Sequence, residues 1–349
     1  MARNAEPMIC IRPSFELRMK DLQGTLRYAE LVEEMGFDAV FVGDRMLAQA
    51  ASDGKVVYDA TAVECTTIMA AMAARTSRIR IGVLIFVVPY RRPLQIAKTL
   101  ASLDAISEGR IIMGCGVGWN RREFEALGLD MSKRGAMFEE AIPLIRKLWT
   151  GDPVTFEGQW SQLDQISIAP LPKQPDGPPI WMASFAPSHD LDFSGGFPKP
   201  IAGALDRVGR LADGWAPLTY SASARRRISP EDLARAWEIV SAGAERTGRS
   251  AADIDLVHSD WIYIVDGPDG ERRGQEAVSK FFTGNWEEAK NTYVIGTPDE
   301  VVEQLARQTS KIGRKVDSFL LTPISIEHGQ LDLIRDKVAP ALRQLNRKS

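Results

Sequence analysis

The chain has 349 residues, 44% hydrophobic and 26% charged, with 43 Lys and Arg against 46 Asp and Glu for a net charge of −3. That balance argues against nucleic acid or an anionic membrane surface as the main partner, and no apolar run is long enough to span a bilayer. Length and composition fit one large α/β domain over 1–349, and the opening stretch Met1–Pro7 lacks the apolar core of a secretory leader.

Strand-like and helix-like segments alternate along the chain. Met8–Ile11 reads as the first strand. Leu22–Met35 is amphipathic, with Leu22, Leu26, Ala29, Val32 and Met35 on one stripe, and Gly36 closes it before a second strand over Phe37–Val42. Ala60–Ala74 is a helix rich in Ala and Met. Ile79–Val88 is the third strand and Leu94–Ile106 the third helix, ended by Glu108-Gly109. Gly109–Gly114 is a fourth, fully buried strand with a glycine-rich exit through Gly116 and Gly118, where missing side chains let a planar ligand approach the main chain. Arg121–Trp149 is helical with a break near Gly128-Leu129-Asp130.

Thr150–Pro179 is rich in Pro, Gly and Gln and reads as an excursion holding a small hairpin. Pro178–Ala183 is strand five, Leu205–Ala212 a helix and Gly214–Pro217 strand six. Pro230–Thr247 is a helix, Leu256–Val265 strand seven, and Glu271–Ala289 and Pro298–Ile312 are helices. Val316–Leu321 is strand eight and Ile326–Leu345 the closing helix. Eight strands alternating with helices predict a (β/α)8 TIM barrel with insertions after strands 4, 5 and 6. Two of these, Phe185–Pro200 and Thr219–Ser229, follow strands and so belong on the catalytic face. The run Arg225-Arg226-Arg227 in the second fits either a solvated loop or an anion contact.

Cys10, Cys65 and Cys115 sit in apolar contexts without pairing spacing, as free buried thiols of a reducing, cytoplasmic location do. His189, His258 and His328 lie too far apart for a ligand set, so no metal is expected and each reads as a surface or satisfied core histidine.

Ala29–Arg45, Arg91–Ala105, Gly109–Glu123, Pro178–Ser184 and Ala212-Asp213-Gly214-Trp215 recur in one order. In that series the chain resembles the bacterial luciferase-like flavin and deazaflavin oxidoreductases, from about Leu22 to the closing helix. Gly116-Val117-Gly118-Trp119 followed by Glu123-Phe124 is most similar to the branch using coenzyme F420, with FMN as the alternative cofactor. The resemblance implies a ring at the C-terminal mouth of the strands. A bulge near Leu84-Ile85, often with a non-prolyl cis peptide, supports it from behind, with Val87 beside it. A small residue usually stands where this chain has Leu84.

Many relatives carry histidine after the second strand, where this chain has Arg45 beside Asp44. Arginine stays charged and is a poor base, but it stabilises negative charge on a reduced ring or a substrate oxygen. The other reading is an ion pair with Asp44 or Asp59. Asp44 itself fits a bond to the ring or to Arg45. Trp119 and Asn120 stand where some relatives place an acidic glutamate: the indole offers an apolar wall, the amide a donor to a ring carbonyl. Glu123 reads as a helix-start residue. The cofactor phosphate is expected at Ala183-Ser184 and near Gly203-Ala204, and Trp215 either walls the site or lies in the core.

The implied activity is hydride transfer to or from a small organic substrate. One alternative is a two-component FMNH2-dependent monooxygenase served by a separate flavin or F420 reductase, since no G-x-G-x-x-G fingerprint with its following acid is found. Another is a degenerate ligand-binding barrel subunit, because Arg45 and Trp119 replace acid–base residues. Relatives imply a homodimer, and Ala60–Ala74 fits such a face or a buried helix equally.

Overall fold

The computed structural model describes residues 6–14, 21–47, 49–50, 56–58, 63–186, 189–325 and 328–348. Eight parallel strands close into a barrel: β1 Met8–Ile11, β2 Ala39–Val42, β3 Arg80–Val87, β4 Ile111–Gly116, β5 Ile180–Met182, β6 Gly214–Trp215, β7 Asp255–Ile264 and β8 Ser318–Pro323. The spatial order is β6-β5-β4-β3-β2-β1-β8-β7, and pairing of Gly214 with Asp255 and Trp215 with Leu256 completes the circle.

The interior layer holds Phe41, Leu84, Ile112, Trp181, Val257 and Leu320 among smaller residues. Phe41 and Trp181 stack across it with centroids 5.5 Å apart. Glycines make the room: a Cβ on Gly82 would stand 2.2 Å from the Phe41 ring, and one on Gly214 2.3 Å from Trp181. Large and small residues therefore alternate around a filled barrel, as close packing demands.

Helices cover the outside: α1 Leu22–Glu34, α2 Cys65–Arg75, α3 Pro93–Ile106, α4 Arg121–Ala126, α5 Arg134–Trp149, α6 Lys199–Leu211, α7 Pro230–Glu245, α8 Gly270–Ser279, α9 Trp286–Thr292, α10 Pro298–Thr309, α11 His328–Leu333 and α12 Ala339–Lys348. The methionines of α2, Met69 and Met72, are buried in the core of this chain. The start expected for that helix, at 60–62, lies outside the described residues. The three cysteines are free and buried, and burial pushes each thiol up. No helix among the described residues is long and apolar enough to cross a membrane.

The expected hairpin in the Thr150–Pro179 excursion is present as Val154–Glu157 against Gln162–Ile166. Four features differ from expectation. Glu271–Ala289 is not one helix, because Asn285 caps α9 in a reciprocal box with Glu288 that starts a new helix there. Val294–Gly296, too short to register as a strand, pairs in parallel with the outer end of β7. The closing helix is divided by a π turn at Ile334–Val338, and Ile326 lies outside the described residues. Finally α6 begins at Lys199 rather than Leu205, since Pro200 in its first turn sets helical φ without needing a donor.

Candidate active site

At the C-terminal mouth of the strands lies a cavity of about 390 Å³. Its floor is the irregular part of β3. The Leu84–Ile85 peptide is cis, and the pairing of β3 with β4 slips between Val83 and Phe86, where the family resemblance expects them. The glycines of β4 and of its exit face this bulge. A Cβ on Gly114 would stand 2.4 Å from Leu84 Cδ1, one on Gly116 2.9 Å from Ile85 Cγ2, and one on Gly118 2.7 Å from Val87 Cγ1. The space they leave is thus filled by β3 side chains rather than kept for a ligand. Gly118 also has φ +82°, which only glycine adopts freely. Leu84, Ile85, Val87, Gly116, Gly118 and Trp119 all line the cavity.

The β2 exit carries Asp44 and Arg45, and both line the cavity. The Asp44 carboxylate is fully buried; it accepts from Val87 N at 3.0 Å and from Arg91 Nη1 and Nη2 at 2.6 and 3.0 Å. Arg91 Nη2 also donates to Glu64 Oε1 at 2.8 Å. Burial alone would lower the Arg91 pKa, but these carboxylates raise it instead. Burial likewise pushes Glu64 up, yet hydrogen bonds from Thr66, Thr67 and Arg91 bring it down to about 2. Asp44, Glu64 and Cys65 converge like a ligand set, but the Arg91 guanidinium supplies the positive charge among them. Asp44 therefore holds the backbone of β3 and Arg91. The Arg45 guanidinium carbon lies 6.0 Å from the Trp119 ring centroid. Asp59, its other suggested partner, lies outside the described residues.

Glu123 stands in the first turn of α4, as expected, but its side chain does not cap that helix. It is buried and lines the cavity. Its Oε1 accepts from Met46 N at 2.9 Å and Leu47 N at 3.1 Å, and its Oε2 from the Tyr90 hydroxyl at 2.7 Å. Burial and Glu123 together push the Tyr90 phenol up, so it stays a donor. The capping role belongs to Asn120, whose Oδ1 accepts from Arg122 N at 3.2 Å. Asn120 is not among the residues lining the cavity.

The wall opposite β1 comes from β5, α5 and α6. Ala183 and Ser184 line it. Trp215 does not: it is fully buried and donates through Nε1 to Ser184 Oγ at 3.0 Å, leaving that hydroxyl's own proton to point elsewhere. Gly203 lies inside α6 and contributes nothing to the wall, while Ala204 and Arg207 of that helix do. Arg207 donates to Glu139 Oε1 at 2.8 Å. Arg134 donates to the Met131 carbonyl at 2.8 Å, and its Nε is buried without a hydrogen-bond partner. His189 Nδ1 accepts from Ala186 N at 2.9 Å, which leaves the ring proton on Nε2. Burial, then Arg134, lowers its pKa, which favours the neutral ring, and it lines the cavity rather than sitting as a bland core residue.

The arginine run is structural. Arg225 pairs with Glu288, Arg226 with Asp190 and Asp192, and Arg227 with buried Asp260, which also meets His258 Nε2 at 3.0 Å. These pairs fasten the insertion after β6 onto its neighbours, and none of the three arginines lines the cavity. His258 is a core histidine, as expected, but only its Nε2 is satisfied; its Nδ1 is buried without a hydrogen-bond partner. Sequence reasoning missed Arg12, Tyr90, Arg134, Arg207, Ser259 and Trp261 as lining residues. Ser259 and Trp261 alternate along β7, a period-two signal that was available; the arginines sit on helices or past a strand end and carry none.

The sequence model of the luciferase-like monooxygenases matches residues 8–190. The chain therefore belongs to that family. Over 236 residues it is 30% identical to an F420-dependent glucose-6-phosphate dehydrogenase of Beutenbergia cavernae, covering 66% of this chain and 61% of that one. Over 277 residues it is 26% identical to 4-hydroxyprotoasukamycin monooxygenase of Streptomyces nodosus subsp. asukaensis, covering 78% and 66%. The chain thus spans roughly two thirds of the length of these curated relatives. Among solved structures, monooxygenase RslO1 from Streptomyces bottropensis superposes with a TM-score of 0.71 at 22% identity over 97% of this chain and 98% of that one. An F420-dependent secondary alcohol dehydrogenase superposes with 0.73 at 19% over 97% and 99%. At these identities the structures share the fold.

Proposed function

We propose that the protein is a deazaflavin- or flavin-dependent oxidoreductase, with coenzyme F420 as the preferred cofactor and a small organic molecule as substrate. The observation that carries this reading is the glycine-backed bulge at Leu84–Ile85, set beneath a cavity whose far wall gathers spare donors. The residues fit the group. Ile85, Val87, Gly116 and Trp119 offer a flat apolar seat. Arg134 Nε is a buried donor lacking an acceptor, and with Arg207, the Ser184 hydroxyl and His189 Nε2–H it suits a phosphate. When bound, the cofactor supplies or accepts the hydride.

This chain's own residues do the rest. Asp44 and Arg91 lock the end of β3 to β2, so the seat is rigid. Glu123 holds the backbone just past Arg45. Arg45, always charged, stabilises negative charge developing on a substrate oxygen and does not move a proton. Trp119 closes the pocket against water. A second reading, a two-component FMNH2-dependent monooxygenase fed by a separate reductase, draws on the likeness to 4-hydroxyprotoasukamycin monooxygenase across 78% of the chain. Anaerobic mixing separates the two. Oxidation of reduced F420 by candidate ketones, aldehydes or enones without oxygen supports the first. Oxygen uptake that needs reduced FMN supports the second.

A further inference from the structure

Arg12 lies just past β1, lines the cavity and stands outside the phosphate-suited set described above. Its Nη2 donates to the Leu84 carbonyl at 2.7 Å, while its Nε is buried with no hydrogen-bond partner. Among the described residues no carboxylate pairs with it. Burial works against its charge, with Tyr220 opposing. Arg134, on the far wall, likewise keeps a buried Nε without a partner, whereas three other enclosed arginines are provided for. Arg91 has Asp44 and Glu64, and Arg227 has Asp260. Arg110 lacks a carboxylate, but its Nε, Nη1 and Nη2 all reach oxygen atoms. A guanidinium stays protonated, so a desolvated one with a spare donor is costly until an anion reaches it.

Position separates this donor from the phosphate-suited set. In the closed strand order β1 lies across the mouth from β5, so Arg12 faces the wall that carries Ser184 and His189. Tyr220 is close enough to act on the Arg12 charge; it forms an edge-to-face pair with Trp261, centroids 6.3 Å apart, and both line the same cavity as Ser259 and Leu218. We propose that Arg12 is a substrate-binding residue: its Nε–H holds the anionic oxygen of an aryl carboxylate or phenolate whose apolar body packs against Tyr220 and Trp261. This rests on the cofactor reading in that it leaves the β1–β7 side of the cavity to substrate.

The test is thermal unfolding of the full chain with benzoate and with its neutral isostere benzamide, beside F420 and FMN titrations of the same samples. Benzoate is expected to raise the Tm and benzamide not to. Arg12→Met should abolish the benzoate shift while saturable cofactor binding is retained. Arg12→Lys should keep part of the shift, and it covers the case in which the methionine variant does not fold. An Arg12→Lys protein that responds to benzoate and benzamide alike, or an Arg12→Met protein that loses cofactor but keeps the benzoate shift, overturns the proposal. Wild type that binds cofactor without preferring benzoate also overturns it and leaves the cofactor reading standing. Benzoate preference without cofactor binding sustains the anion site and removes that reading.

Discussion

The hydroxyl of Tyr90 donates to Glu123 Oε2 at 2.7 Å, joining the end of β3 to the helix after β4. Because Glu123 Oε1 also receives the Met46 and Leu47 amides, one buried carboxylate fastens three strand exits together. Glu123→Ala strands three donors and should cost roughly 2–4 kcal/mol of stability. Glu123→Gln keeps an acceptor oxygen and should cost about half as much. Urea unfolding of both variants measures the order; equal losses would count against the hydrogen-bond account.

Asp44 and Arg91 form a second clamp, more deeply buried. Asp44→Asn leaves the guanidinium short of its charge partner and should destabilise by about 3 kcal/mol. Combining it with Arg91→Met should cost clearly less than the two single changes summed, because the pair is one unit. A double-mutant cycle in urea reads the coupling directly, and additivity would contradict it.

The glycines of the mouth should behave unequally. Gly114→Ala places a Cβ 2.5 Å from the Val83 carbonyl, a backbone contact that cannot move away, and should destabilise by about 1–3 kcal/mol while weakening cofactor binding. Gly203 sits inside α6 with nothing within 4 Å of a built Cβ. Gly203→Ala should therefore stabilise by about 0.5–1 kcal/mol and leave cofactor binding unchanged. Loss of binding in that variant would restore Gly203 to the phosphate site.

Burial would raise the Asp260 carboxyl, but Arg227 and then His258 hold it at about 2 against an ordinary 3.8. The folded value lies below the unfolded one, so the stabilisation is present above pH 4 and is lost as pH falls toward 2. It amounts to about 2 kcal/mol. The stability gap between wild type and Asp260→Asn should be widest near neutrality and shrink on acidification. A gap independent of pH would contradict this origin.

How far the sequence alone reaches differs between parts of the molecule. The strands of the barrel are buried apolar runs closed by turn residues, and that pattern survives into the fold from Ile9 to Leu321. The place of the bulge at Leu84–Ile85 came from family likeness; nothing in the local residues announces it. Glu123 was misjudged because position in a helix says nothing of where a long side chain reaches, and its partners Met46 and Leu47 lie 77 and 76 residues away. Arg12 looks like any charged residue after a strand; only the structure shows that no carboxylate pairs with it among the described residues. The Arg225–Arg227 run held two readings because charge alone does not name a partner. Asp190, Asp260 and Glu288 supply the answer from three separate elements.

Arg45→Ala should slow turnover at least tenfold while changing cofactor affinity little, since charge that builds up only during reaction is felt in the rate. An unchanged kcat would assign Arg45 to packing over Trp119.

The central claim, that this barrel mouth seats a deazaflavin or flavin, is tested most directly by fluorescence titration of the purified chain with oxidised and reduced F420 and FMN, comparing wild type with Arg134→Met. The account predicts saturable binding of one F420 per chain, tighter than FMN, and weakened by loss of the Arg134 donor. Binding of neither cofactor, or equal binding by the Arg134→Met protein, would contradict it.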